Sequence, residues 1–217
     1  MSEPDSTIRS LVDDLTPTGG PTHSGRTAVA WWITAMLVTG VVMALVQPFR
    51  PGFVEQLFTT PRFAFEISLG LIVCAGMAHA AFQLGIPDIR SPWRRARGPL
   101  VLLAIWLGLF TIALFAPELE PSMAGYRPMC YLEILIYALP LTFAGLLIVR
   151  RWLPLNAAGT GAWMGFAAGL IPAYLMQLAC MHEPMHNITW HLLPVLGTAV
   201  IGAVLGSRVL RREEIGV

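Results

Sequence analysis

Lysine is absent from this chain of 217 residues: all fourteen basic residues are arginine. Charge of either sign is scarce, at 12% of residues, and the formal balance is only +1. No global basic field points to nucleic acid, so what matters is where the few charges lie. Three cysteines are too few for a disulfide-built scaffold. No CxxC pair, HExxH, phosphate loop or Ser/His/Asp arrangement occurs, which removes the usual signatures of hydrolases and nucleotide enzymes. The missing vicinal cysteine pair also counts against a membrane thiol oxidoreductase. The N-terminal stretch holds Glu3, Asp5, Asp13 and Asp14 without an apolar core, so it is not a cleavable signal peptide. What the chain has in quantity is hydrocarbon: 55% of its residues are hydrophobic and mean hydropathy is +0.64. That lies outside the make-up of a soluble domain and indicates an integral membrane protein.

Six apolar runs are visible, roughly 27–48, 63–84, 99–116, 130–149, 157–180 and 190–205. Each approaches the ~20 residues a helix needs to cross the bilayer, and helices are required because lipid leaves no backbone group a partner. The fold class expected is an all-α integral membrane protein, a bundle of six transmembrane helices. Pro140 and Pro172 read as kinks, while Gly165, Gly169, Gly197, Gly202 and Gly206 permit close helix approach. Eleven arginines fall on one set of loops and tails (9, 26, 90, 94, 95, 97, 150, 151, 208, 211 and 212), against Arg50, Arg62 and Arg127 on the other. Because arginine-rich loops stay cytoplasmic, both termini are expected inside and the loops 49–62, 117–129 and 181–189 outside. The Arg94-Arg95-Ala96-Arg97 cluster reads as a topology determinant and a contact for anionic lipid.

Cys130 opens the fourth run and Cys180 closes the fifth, so the two sulfurs fall at the same, outer, depth. They form a candidate thiol pair, able to bridge in an oxidising compartment if their Cα atoms come within about 7 Å; the alternative is two small buried hydrophobes, as Cys74 reads. Cys180-x-His182-x3-His186 adds nitrogen ligands to sulfur, a set suited to zinc, copper or a heavier thiophilic ion. Candidate metal ligands are therefore Cys130, Cys180, His182 and His186, the alternative being solvated interfacial histidines; any such ion is expected to be transient, with no resident cofactor. His191 lies in the same corner. Glu66 reads as paired with Arg62 four residues earlier, Glu133 has no evident partner, and His79 reads as structural.

Residues 2–26 are polar and carry one apolar stripe, Ile8, Leu11, Val12 and Leu15, at i, i+3, i+4 and i+7. A short amphipathic helix of this kind, stopped by Pro17 and tethered by Gly19-Gly20-Pro21, is marginal alone and suits a segment that folds against a partner. The expected organisation is an arm over 1–26, a six-helix domain over 27–209 and a cytoplasmic tail over 210–217.

The order of Asp14-Leu15-Thr16-Pro17, six spans, Arg127-Pro128-Met129-Cys130, Cys180 and Trp190-His191 resembles the negative regulator of sigma F (NrsF-like) family of bacterial inner-membrane anti-sigma factors. The resemblance covers nearly the whole chain. It implies a protein without enzymatic activity, whose N-terminal segment, through Ile8, Leu11, Val12, Asp14 and Leu15, holds an extracytoplasmic-function sigma factor at the membrane. It also implies that Cys130 and Cys180 sense metal or oxidant stress outside and cause release, with no direct contact to nucleic acid. The rival readings are a small-solute or metal transporter, a thiol oxidoreductase using the Cys130/Cys180 pair, and an assembly subunit. The absence of an internal repeat and the gathering of ionisable groups at one edge argue against the transporter.

Overall fold

A computed structural model describes residues 23–88 and 90–210. Among them there is no strand, only an isolated bridge between Ser122 and His182. The helices are α1 (Ser24–Val46), α2 (Phe53–Thr59), α3 (Pro61–Leu84), α4 (Pro92–Ala113), α5 (Cys130–Arg150), α6 (Ala157–Ala179), α7 (Pro184–His186) and α8 (Leu193–Val209). A π-helical turn, Asn187–Leu192, joins the last two into one continuous element. Six of these elements are long and apolar enough to cross a membrane. The arm residues Ile8, Leu11, Val12, Asp14 and Leu15 and the tail 211–217 lie outside the described residues.

Two helices start earlier than the apolar runs. α4 begins at Pro92 rather than Pro99, because Ser91 caps it, accepting from the Arg94 amide at 3.4 Å, and a proline in the first turn needs no donor. The arginine cluster therefore forms the first turns of a helix, with Pro99 inside it. The sixth span begins at Pro184 rather than Trp190, because Glu183 accepts from the amides of Met185 and His186. That difference brings His186 out of a loop and onto a helix.

α6 is the central helix, buried along nearly its whole length and packed by α8, α5 and α3. Its closest partner is antiparallel α8. Gly161 and Gly165 of α6 face Gly202 and Gly206 of α8 so tightly that a Cβ on Gly202 would meet the Gly161 carbonyl oxygen and lie 2.8 Å from the Gly165 Cα. Small residues at such a crossing let two backbones meet, which is how helices associate where no hydrophobic difference drives them together. Gly197 is not part of this seam, since the nearest atom to its Cβ position is on Leu135 at 3.6 Å. The outer surface is the reverse of a soluble protein's, with Leu37, Val41 and Leu45 on α1, Ile72 on α3 and Val200 on α8 exposed. The bundle thus has two ends, one rich in arginine (Arg90, Arg94, Arg95, Arg150, Arg151) and one carrying Cys130 and Cys180.

Candidate functional site

The cysteine end is built from three chain segments that arrive separately. Cys130 is the first residue of α5 and Cys180 the residue that ends α6, its amide still bonded to Met176 O at 2.7 Å. Both side chains are buried and neither is bridged. The third segment is the π turn. In a regular α-helix residues five apart diverge by about 140°, whereas the i to i+5 bonding of a π turn brings them onto one face. His186 and His191 are five apart across this turn, and their rings meet edge to face with centroids 4.9 Å apart.

The result is a cluster of four donors. Cys130 Sγ lies 3.5 Å and Cys180 Sγ 3.6 Å from His186 Nε2. One ligand atom from each of Cys130, Cys180, His186 and His191 falls within 4.8 Å of every other. The Cys180 thiol is held below the ordinary thiol range, first by the neighbouring Cys130 thiol and then, against the opposing effect of burial, by His191 beside it. His191 is fully buried and neither of its ring nitrogens makes a well-formed hydrogen bond. His186 is only partly buried and stacks on exposed Trp190, which also packs on Tyr131 at 5.3 Å. Access to the cluster is therefore through His186.

Two sets of polar groups that would be costly in hydrocarbon lie near this cluster and are paired. Arg127, wholly buried, is the hub. Its guanidinium lies 2.9 Å from Glu133 Oε2 and donates to Gln47 O at 2.5 Å, Met43 O at 3.4 Å and Ala179 O at 3.4 Å. One side chain thus ties the end of α1, the start of α5 and the end of α6. Tyr137 also donates to Glu133, at 3.4 Å. A second set joins Arg62 to Glu118 Oε2 at 3.7 Å and His182 Nε2 to Glu118 Oε1 at 3.3 Å. Burial pushes the Glu118 carboxyl up, but its interactions with His182 and Glu66 outweigh this and hold it down to about 2.

Of the residues singled out in the sequence, Cys130, Cys180 and His186 come together. His182 does not join them: it packs edge-on against Phe63 at 5.5 Å and serves Glu118. The fourth place in the cluster is taken by His191. Its i+5 spacing from His186 matches no α-helical face, and only a π turn makes neighbours of the two. Arg62 reaches Glu118 instead of closing a local pair with Glu66, because the 114–129 loop folds back over α3. Glu133 finds its partner in Arg127, six residues earlier and outside the helix. Cys74 donates to Leu170 O at 3.5 Å in the core, a packing role, and His79 is exposed beside Gly25 at the arginine-rich end.

A family model described as negative regulator of sigma F matches residues 11–211. The chain belongs to that family. Negative regulators of sigma F are regulatory rather than enzymatic proteins, as the sequence led us to expect. All four clustered donors lie in the matched region, as does the Leu11 to Pro17 segment. A probable anti-sigma-F factor of Azospira oryzae is 28% identical over 155 residues, covering 68% of this chain and 72% of the relative. An anti-sigma-F factor of Caulobacter vibrioides is 25% identical over 218 residues, covering 93% of this chain and 97% of the relative. No solved structure matches.

Proposed function

We propose that this chain is an anti-sigma factor of the bacterial inner membrane that sequesters an extracytoplasmic-function sigma factor and releases it when Cys130 and Cys180 meet an oxidant or a thiophilic metal. The observation that carries the reading is the family match running from the N-terminal segment through the Cys/His cluster. The arginine bias supports an orientation with both termini in the cytoplasm and the cysteine end outside. In that orientation Arg94, Arg95 and Arg97 meet anionic headgroups, and the stripe of Ile8, Leu11, Val12 and Leu15, with Asp14, lies on the same side of the membrane as sigma.

The chemistry at the outer end is a two-electron oxidation. A peroxide takes two electrons from the two thiols, both thiol protons leave with its oxygens as water, and one sulfur–sulfur bond forms. Because a disulfide holds its sulfurs ~2.05 Å apart, the start of α5 is drawn to the end of α6 and the contacts with His186 are lost. Release follows only if sigma binds one of these two bundle arrangements better than the other.

Two variants test the reading. Deleting residues 2–22, which leaves α1 whole, is expected to abolish recovery of the sigma factor in a mild-detergent pull-down; undiminished recovery would move its binding to the arginine-rich loops. Replacing both thiols, Cys130→Ser with Cys180→Ser, is expected to leave sigma bound but end its release by peroxide. Normal induction in that double variant would refute the sensor.

A further inference from the structure

A redox pair needs at most one imidazole beside its thiols, and here two, His186 and His191, converge on them. A buried imidazole with two unpartnered nitrogens is a costly arrangement, and a π turn at the head of an otherwise α-helical span interrupts the regular ladder. Both features have one common consequence, which is to aim two ring nitrogens at two sulfurs. We propose that Cys130, Cys180, His186 and His191 form a closed tetrahedral site for one zinc ion.

The two sulfur–nitrogen distances at His186 fit that ion, and the four donor atoms as a set lie within 4.8 Å of one another. Metal–sulfur bonds of about 2.3 Å and metal–nitrogen bonds of about 2.0–2.1 Å in a tetrahedron place sulfur and nitrogen about 3.5 Å apart. The observed separations from His186 Nε2 are 3.5 Å to Cys130 and 3.6 Å to Cys180. The donor set, two thiolates and two imidazoles, suits zinc and excludes magnesium and calcium, which take oxygen. Two thiolates neutralise a dication, so the buried centre carries no net charge. Four protein ligands and a buried position mark a structural site rather than a catalytic one, which keeps a position open.

Such an ion would clamp the start of α5, the end of α6 and the π turn together. Its loss to a softer divalent cation, by ligand exchange at the sulfurs, would loosen the same joint that disulfide formation alters. The site itself stands on its geometry; only this regulatory consequence rests on the anti-sigma reading.

The full chain, purified in detergent without chelator, is the material for the test. Elemental analysis is expected to give one zinc per chain, and cobalt(II) added after zinc removal one equivalent with the intense visible bands of tetrahedral sulfur and nitrogen coordination. His186→Ala, at the partly exposed ligand, is expected to weaken cobalt binding by more than the ~10–100-fold typical of losing a second-shell partner. His191→Ala does the same, while His182→Ala binds as the unaltered chain does. Substoichiometric metal, a weak octahedral spectrum, or unchanged binding in His186→Ala would overturn the site. The same preparations, probed for retained sigma factor, separate the two proposals: metal without sigma removes the anti-sigma reading alone, and sigma without metal removes this site alone.

Discussion

Arg127→Ala is expected to destabilise the folded chain by about 3 kcal/mol, measurable as a lowered midpoint of unfolding in mixed micelles. Removing one partner of a buried ion pair costs ~3–5 kcal/mol because the other charge is left without compensation. The lower end applies because the Glu133 side chain keeps 18% of its surface exposed and Tyr137 as a donor. The carbonyl oxygens of Met43, Gln47 and Ala179 lose a charged donor at the same time. Arg127→Lys is expected to recover only part of the loss, since a single ammonium cannot reach the ends of α1 and α6 and the Glu133 carboxylate together. A loss below ~1 kcal/mol in Arg127→Ala, the size of an exposed pair, would show that Arg127 is not the hub.

Gly202→Leu is the second large effect. Overpacking a tight interface costs typically ~1–3 kcal/mol when side chains yield, but here the opposing atoms are backbone. A Cβ on residue 202 meets the Gly161 carbonyl oxygen before any further side-chain atom is considered. The helices must separate, and the expected cost exceeds ~3 kcal/mol, read as loss of the monodisperse species on gel filtration. Gly108→Leu on α4, where nothing lies within 4 Å, is the control and should stay within ~0.5 kcal/mol. Equal tolerance of both substitutions would mean that α6 and α8 do not meet backbone to backbone.

Much of this architecture could be read in advance because apolar runs long enough to cross a bilayer have so few ways to pair their backbone groups. Apolar runs of span length became helices, and the glycines at 165, 202 and 206 fell in the tightest seam, where Gly161, not singled out in the sequence, completes the set and Gly169 meets the Thr198 side chain instead. Caps were harder to see. Ser91 and Glu183 extend α4 and the last span over polar residues that hydropathy assigns to loops, and through Glu183 the first histidine of the cluster, His186, became helical. The cysteine pair was legible from its position at two span ends, but its partners were not, because a π turn has no sequence period of its own. His182 was the natural candidate by spacing, and its imidazole is instead engaged by Glu118, a residue more than sixty positions away in the chain. The pairing of Arg127 with Glu133 was equally hidden, since it joins a loop to a helix rather than two positions on one helix face.

The central claim is that the cluster lies on one side of the membrane and the sigma-binding arm on the other. Single exposed cysteines at each end of the bundle test it most directly, by S122C beside the cluster and S91C at the start of α4, each in the otherwise unaltered chain with the labelled peptide identified by mass spectrometry. In intact spheroplasts an impermeant maleimide is expected to modify S122C at once and S91C only after the membrane is opened. Labelling of both before permeabilisation, or of S91C alone, would contradict the account.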